Sequence, residues 1–144
     1  MAATAFVLYN EAKKYIGNGT LVLGTTAFKL KLTNSASNAE TLTLSTFASV
    51  TGEISARGVY AANGRALASM VWTQGASAKS TKFGAADIVV TASGSSLINV
   101  KYAVIGVSGG KALCWSKLST AQFTVTNPNT LTIQFNALGI FEMH

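Results

Sequence analysis

Charge, cysteine, histidine and proline are all scarce in this chain of 144 residues. Only 11% of its residues are Asp, Glu, Lys or Arg, and 49% are hydrophobic; ordinary soluble domains carry about 25% charged residues. Disordered chains are poor in hydrophobics and rich in charge, so this balance excludes disorder. No apolar run approaches the ~18 to 20 residues of a spanning helix, and no membrane partner is expected. The single cysteine, Cys114, excludes an internal disulfide and a Cys-based metal cluster. Between Leu113 and Trp115 it reads as a small buried hydrophobe in a strand. The single proline, Pro128, falls in an Asn-Pro-Asn turn. Residues 1–4 lack a charged n-region and residues 6–9 are too short for an h-region, so folding in a reducing cytoplasm is expected.

The scarcity extends to catalytic groups. The one histidine, His144, is the last residue, a poor place for a general base or a metal ligand. A Ser-His-Asp or a Cys-His arrangement would need it. The acids Glu11, Glu40, Glu53, Asp87 and Glu142 are dispersed, with no pair spaced as a dyad. Gly17-Asn18-Gly19 precedes a strand pattern and has no Walker-type Lys-Ser or Lys-Thr after it. No enzyme activity, cofactor or metal is expected.

What is present is Thr, Ser, Ala, Asn and Gly at the polar positions and a net charge of +6. Burying Thr or Ser costs less than burying Lys or Glu, so such a surface suits a protein covered by partners. The eleven Lys and Arg are scattered, with Lys13-Lys14 the one adjacent pair. Nucleic-acid binders concentrate such charge on a stripe, so no nucleic acid is expected and an acidic protein surface fits better.

Periodicity predicts one short amphipathic helix at about 5–16, capped by Thr4, with Leu8, Ala12 and Tyr15 on one face and Gly17-Asn18-Gly19 as its stop. The period then changes to 2. A strand is expected to start at 21–23 and to be interrupted by Gly24-Thr25-Thr26, then 28–32 alternates with Lys29 and Lys31 on the wet face, 41–44 alternates briefly, and 66–72 reads as a strand. Further strands are expected at 88–90, covered on both faces, at 97–107 as the longest, and at 112–118, 123–125 and 131–135. Residues 45–54 are ambiguous, with Phe47 and Val50 spaced as a helical turn. Seven or eight short strands with turn signals every 8 to 12 residues or so predict a mainly β fold. We expect one domain over 1–144, an antiparallel β-sandwich, of which a jelly roll is one form, with an N-terminal helix.

Two features suit an interface. Arg57, Tyr60 and Arg65 bracket the Asn63-Gly64 turn, and Arg and Tyr are enriched where proteins meet. Trp72 and Trp115 are the candidates for a sugar-stacking platform, against the plainer expectation that they pack in the core.

Several segments, taken in order, resemble a family of small tailed-bacteriophage virion structural proteins. They are Glu11 to Gly19 leading to Phe28-Lys29-Leu30-Lys31-Leu32, Gly58-Val59-Tyr60 with Asn63-Gly64-Arg65, and Thr81-Lys82-Phe83 through Asp87-Ile88. Lys101-Tyr102-Ala103-Val104-Ile105, Phe123-Thr124-Val125 and the stretch Ile133 to Phe141 complete the set. The likeness departs at Gly84 and Ala86, where the family usually has acids, and at Lys101, where it often has Arg. The resemblance implies a virion component made in the bacterial host cytoplasm. A capsid decoration, or cement, protein is the leading reading. It would sit as a dimer or trimer on the capsid exterior, with the major capsid protein as partner. A tail, fibre or baseplate protein that binds host glycans is the alternative, and a cellular carbohydrate-binding module is the third.

Overall fold

A computed structural model describes residues 6–55, 60, 64–74, 80–135 and 140–143. Its elements are β1 (Val7–Leu8), α1 (Asn10–Gly17), β2 (Lys29–Thr33), a 3₁₀ turn (Phe47–Ser49), β3 (Arg65–Ala66), β4 (Val71–Gln74), β5 (Thr81–Gly84) and β6 (Ile88–Thr91). They continue with β7 (Leu97–Val100), β8 (Tyr102–Gly106), β9 (Ala112–Lys117), β10 (Phe123–Val125), β11 (Thr130–Ile133) and β12 (Phe141–Met143). The fold is mainly β, and every strand pair described is antiparallel. A five-stranded sheet runs β1-β9-β8-β2-β3 and a three-stranded sheet β12-β5-β4, with the two-stranded ladders β10-β7 and β11-β6.

Alternation of side chains gives the five-stranded sheet its core. Leu30 of β2 stands opposite Ile105 of β8, which stands opposite Cys114 of β9. These three and the neighbouring Leu32 and Ala103 are fully buried. Burying a Leu or Ile side chain contributes about 1.5–3 kcal/mol, so this row is a main source of stability. The tight β8–β9 hairpin turns through residues 107–111, where the Gly110 N–H donates to the Val107 carbonyl (2.8 Å). From the three-stranded sheet, Phe83 meets Phe28 edge-on at 5.5 Å and Phe141 at 5.6 Å, an aromatic cluster beside β2.

The opposite face of the five-stranded sheet is covered too, contrary to the expectation of a wet face at Lys29 and Lys31. Lys31 is 4% exposed. Its Nζ donates to the Phe47 carbonyl (3.1 Å) and lies 4.3 Å from the centre of the Phe47 ring. The 3₁₀ turn carrying Phe47 folds over β2 and β8 because Gly106 leaves the room. A Cβ there would stand 2.5 Å from a Phe47 ring carbon. Gly64 serves a similar end: its φ of +87° is open to glycine, and a Cβ would run into the Leu30 carbonyl.

Tertiary pairing overrides several local expectations. The helix begins at Asn10, not near residue 5; Val7 and Leu8 pair with Trp115 and Cys114 instead. Tyr9 ends that strand with its hydroxyl donating to the Ala39 carbonyl (2.6 Å), a buried bond that fixes where the helix starts. Thr4, expected as the cap, lies outside the described residues. Residues 21–23 form a turn, in which the Val22 N–H donates to the Thr26 hydroxyl, and residues 41–44 form another. The strand expected at 66–72 is divided between β3 and β4, with Ser69 at a φ of 52° between them. The strand expected at 97–107 is broken at Lys101. Asn99 takes a φ of 63°, and the Lys101 N–H donates to the Thr33 carbonyl while its carbonyl accepts from the Leu118 N–H. The break turns Ile98 outward, 42% exposed, while Val100, Tyr102 and Val104 are buried. Residues 88–90 are not covered on both faces: Ile88 and Val90 are buried and Val89 is 46% exposed.

Candidate interaction surfaces

Of the three residues expected at an interface, Arg57 lies outside the described residues and Arg65 is half-buried in β3. Tyr60 is corrected: it is 2% exposed and belongs to the core. Its hydroxyl accepts from the Leu32 N–H (3.0 Å) and donates to Glu53 Oε1 (2.8 Å). Burial pushes its phenol well above the ordinary value, the Leu32 amide partly offsets this, and the Glu53 carboxylate adds to it. The aromatic signal that marks interfaces marks cores equally, and here the core has it.

Each of the four acids whose side chains are described has a partner within the fold. Glu11 pairs with Lys14 (3.6 Å) one helical turn on. Glu40 accepts from the Tyr102 hydroxyl (2.7 Å) and pairs with Lys117 (3.3 Å). These two contacts, the Tyr102 bond foremost, hold the Glu40 carboxyl below its usual range, and Glu40 in turn raises the Tyr102 phenol to about 12. Glu53 accepts from Tyr60, and Asp87 accepts from the Phe135 N–H (3.0 Å). Among the described residues no group of three or more His, Cys, Asp or Glu comes together as a metal site. Cys114 is fully buried and its thiol is pushed up by that burial. His144 lies outside the described residues.

Cations gather around Tyr15, which the sequence did not announce. Lys13 and Lys14 are exposed on α1. The Nζ of Lys14 lies 5.8 Å, and that of Lys111 4.7 Å, from the centre of the Tyr15 ring. Lys111 is brought there by the β8–β9 hairpin, almost a hundred positions along the chain. The adjacent Lys13-Lys14 pair is half of the signal; the other half is a long-range contact that no local pattern encodes.

A second surface is apolar. In the three-stranded sheet β4 is an edge, paired among the described residues with β5 alone. Val71 is 48% and Trp72 38% exposed. Gly24 packs against the Trp72 backbone, which brings the turn holding exposed Val22 to the same edge. Trp72 and Trp115 have separate surroundings. Trp72 neighbours Phe141 at 6.5 Å, whereas Trp115 is half-buried against Tyr102 at 6.3 Å, with its indole nitrogen buried. No helix among the described residues is long and apolar enough to cross a membrane.

The chain matches no family model, no curated protein and no solved structure.

Proposed function

We propose that this chain is a non-enzymatic structural protein of a tailed-phage virion, and that it decorates the capsid exterior by bridging subunits of the major capsid protein. One observation carries the reading. The chain has few charges and a net charge of +6, and the four acids whose side chains are described each have a partner within the fold. That combination suits docking on an acidic protein lattice: little charge has to be desolvated, and what remains steers the encounter. A protein that binds only the assembled shell stabilises it by mass action. The antiparallel sheets are read as the layers of a β-sandwich, to which the ordered likeness to phage virion proteins also points. The exposed edge at Val71 and Trp72 supports association of copies as a dimer or trimer, since an uncovered edge strand invites pairing.

The test is co-sedimentation of the purified chain with shells of the phage that encodes it, prepared without it. Saturable binding that weakens with salt is expected; shells that pellet bare would overturn the reading. Exposed Trp72 favours one competitor, a tail or fibre protein that stacks host sugars. Glycan binding abolished by Trp72→Ala would establish that competitor.

A further inference from the structure

We infer that the surface around Tyr15, with Lys14 and Lys111, is where an acidic protein partner docks. The inference deepens the capsid reading by naming the contact, and rests on it for the partner's identity but not for the partner's chemistry. Lys14 and Lys111 both stand over the Tyr15 ring. Tyr15 is half-buried. Among the described residues, Glu11 is the one acid paired into the group, through Lys14. A tyrosine with ammonium groups on it presents an apolar ring for packing and cations for carboxylates, the pairing of an anchor with a charged rim found where proteins meet.

A buried charge behind this surface is the independent observation. Lys31 is 4% exposed, and among the described residues no carboxylate lies within ion-pair distance of it; a carbonyl and the Phe47 ring are its partners. Phe47 is tied to the Lys111 hairpin. The Phe47 N–H donates to the Gly110 carbonyl (3.0 Å), and Thr46 bridges to Lys111. A buried ammonium without a counter-ion is destabilising, and a hydrophobic side chain of similar length would fit the same place better. In low dielectric its field reaches further than that of a solvated lysine. Lys31 thus lends positive potential to the surface that Lys111 presents, and an acidic partner supplies the missing countercharge.

The probe is poly-L-glutamate, titrated into the full-length protein and followed by amide chemical shifts. Shifts centred on residues 14, 15 and 111 are expected. Lys14→Glu and Lys111→Glu, both surface changes, are each expected to weaken binding about fivefold or more, and Lys82→Glu, on the other sheet, to weaken it less. Lys31→Met is expected to raise the denaturation midpoint while weakening poly-L-glutamate binding. Shifts centred elsewhere, or a loss with Lys82→Glu equal to that with Lys111→Glu, would overturn the inference. So would a stabilised Lys31→Met that binds as well as the parent. Should shells pellet bare while poly-L-glutamate binds at Tyr15, the capsid reading fails and this surface stands. Shell binding that persists unchanged in Lys111→Glu would leave the capsid reading standing and overturn this surface as its contact.

Discussion

The Tyr60 hydroxyl sits between the Leu32 amide, from which it accepts, and Glu53 Oε1, to which it donates at 2.8 Å. This one group joins a central strand of the five-stranded sheet to the segment after the 3₁₀ turn. Tyr60→Phe keeps the ring and removes both bonds. The Leu32 N–H is then left buried and unpaired, which costs about 1–3 kcal/mol. Urea denaturation of the variant should show that loss with an unchanged slope. A midpoint equal to that of the parent would mean the bonds contribute nothing.

Gly106 gives a prediction of opposite chemistry. Alanine there adds a methyl within 2.5 Å of the Phe47 ring. The nearest atoms also include the Lys111 carbonyl at 2.9 Å, so the ring has little room to retreat. Overpacking of this kind costs about 1–3 kcal/mol, and the Gly106→Ala melting temperature should fall accordingly. An unshifted melt would show that the 3₁₀ turn is free to lift.

Glu40 and Tyr102 bound the stability of the fold in pH. The Glu40 carboxyl is depressed by Tyr102 and Lys117, so its contribution is present above its unfolded pKa and is lost as pH falls through the folded one. Because Glu40 is exposed, that contribution is small. The Tyr102 phenol is raised to about 12 by its bond to Glu40 and by burial. Its contribution is full below the ordinary tyrosine value of 10.0 and fades as pH rises through about 12. Tyr102→Phe should return the Glu40 carboxyl toward its ordinary value in an NMR titration. An unchanged Glu40 would assign its shift to Lys117 and Lys101.

Cys114 is fully buried in β9 with its thiol raised by desolvation. The thiolate is the reactive form, so a maleimide should label the native protein only as fast as it opens, and the unfolded protein at once. Rapid labelling under native conditions would contradict the register Ile105–Cys114.

The sequence carried the mainly β architecture because alternation survives wherever one face is buried. The strands expected at 112–118, 123–125 and 131–135 are found as Ala112–Lys117, Phe123–Val125 and Thr130–Ile133. It misled where a long-range contact decided. Lys29-Leu30-Lys31-Leu32 alternates as a half-wet strand should, yet Lys31 is covered, since nothing local to β2 announces that Phe47 will fold across it. Residues 97–107 read as one strand because the break at Lys101 is made by Thr33 and Leu118, both distant in sequence. The candidate surface was half legible: Lys13 and Lys14 are adjacent, but Lys111 joins Tyr15 only through the fold. Tyr60 was misplaced because an aromatic beside arginines has the composition of an interface whether it faces out or in.

The central claim is most directly tested by the copy number of this protein in purified virions, measured against the major capsid protein. A decoration role predicts a ratio near stoichiometric. A few copies per particle would contradict it in favour of a tail or fibre component, and complete absence from virions would contradict the virion role altogether.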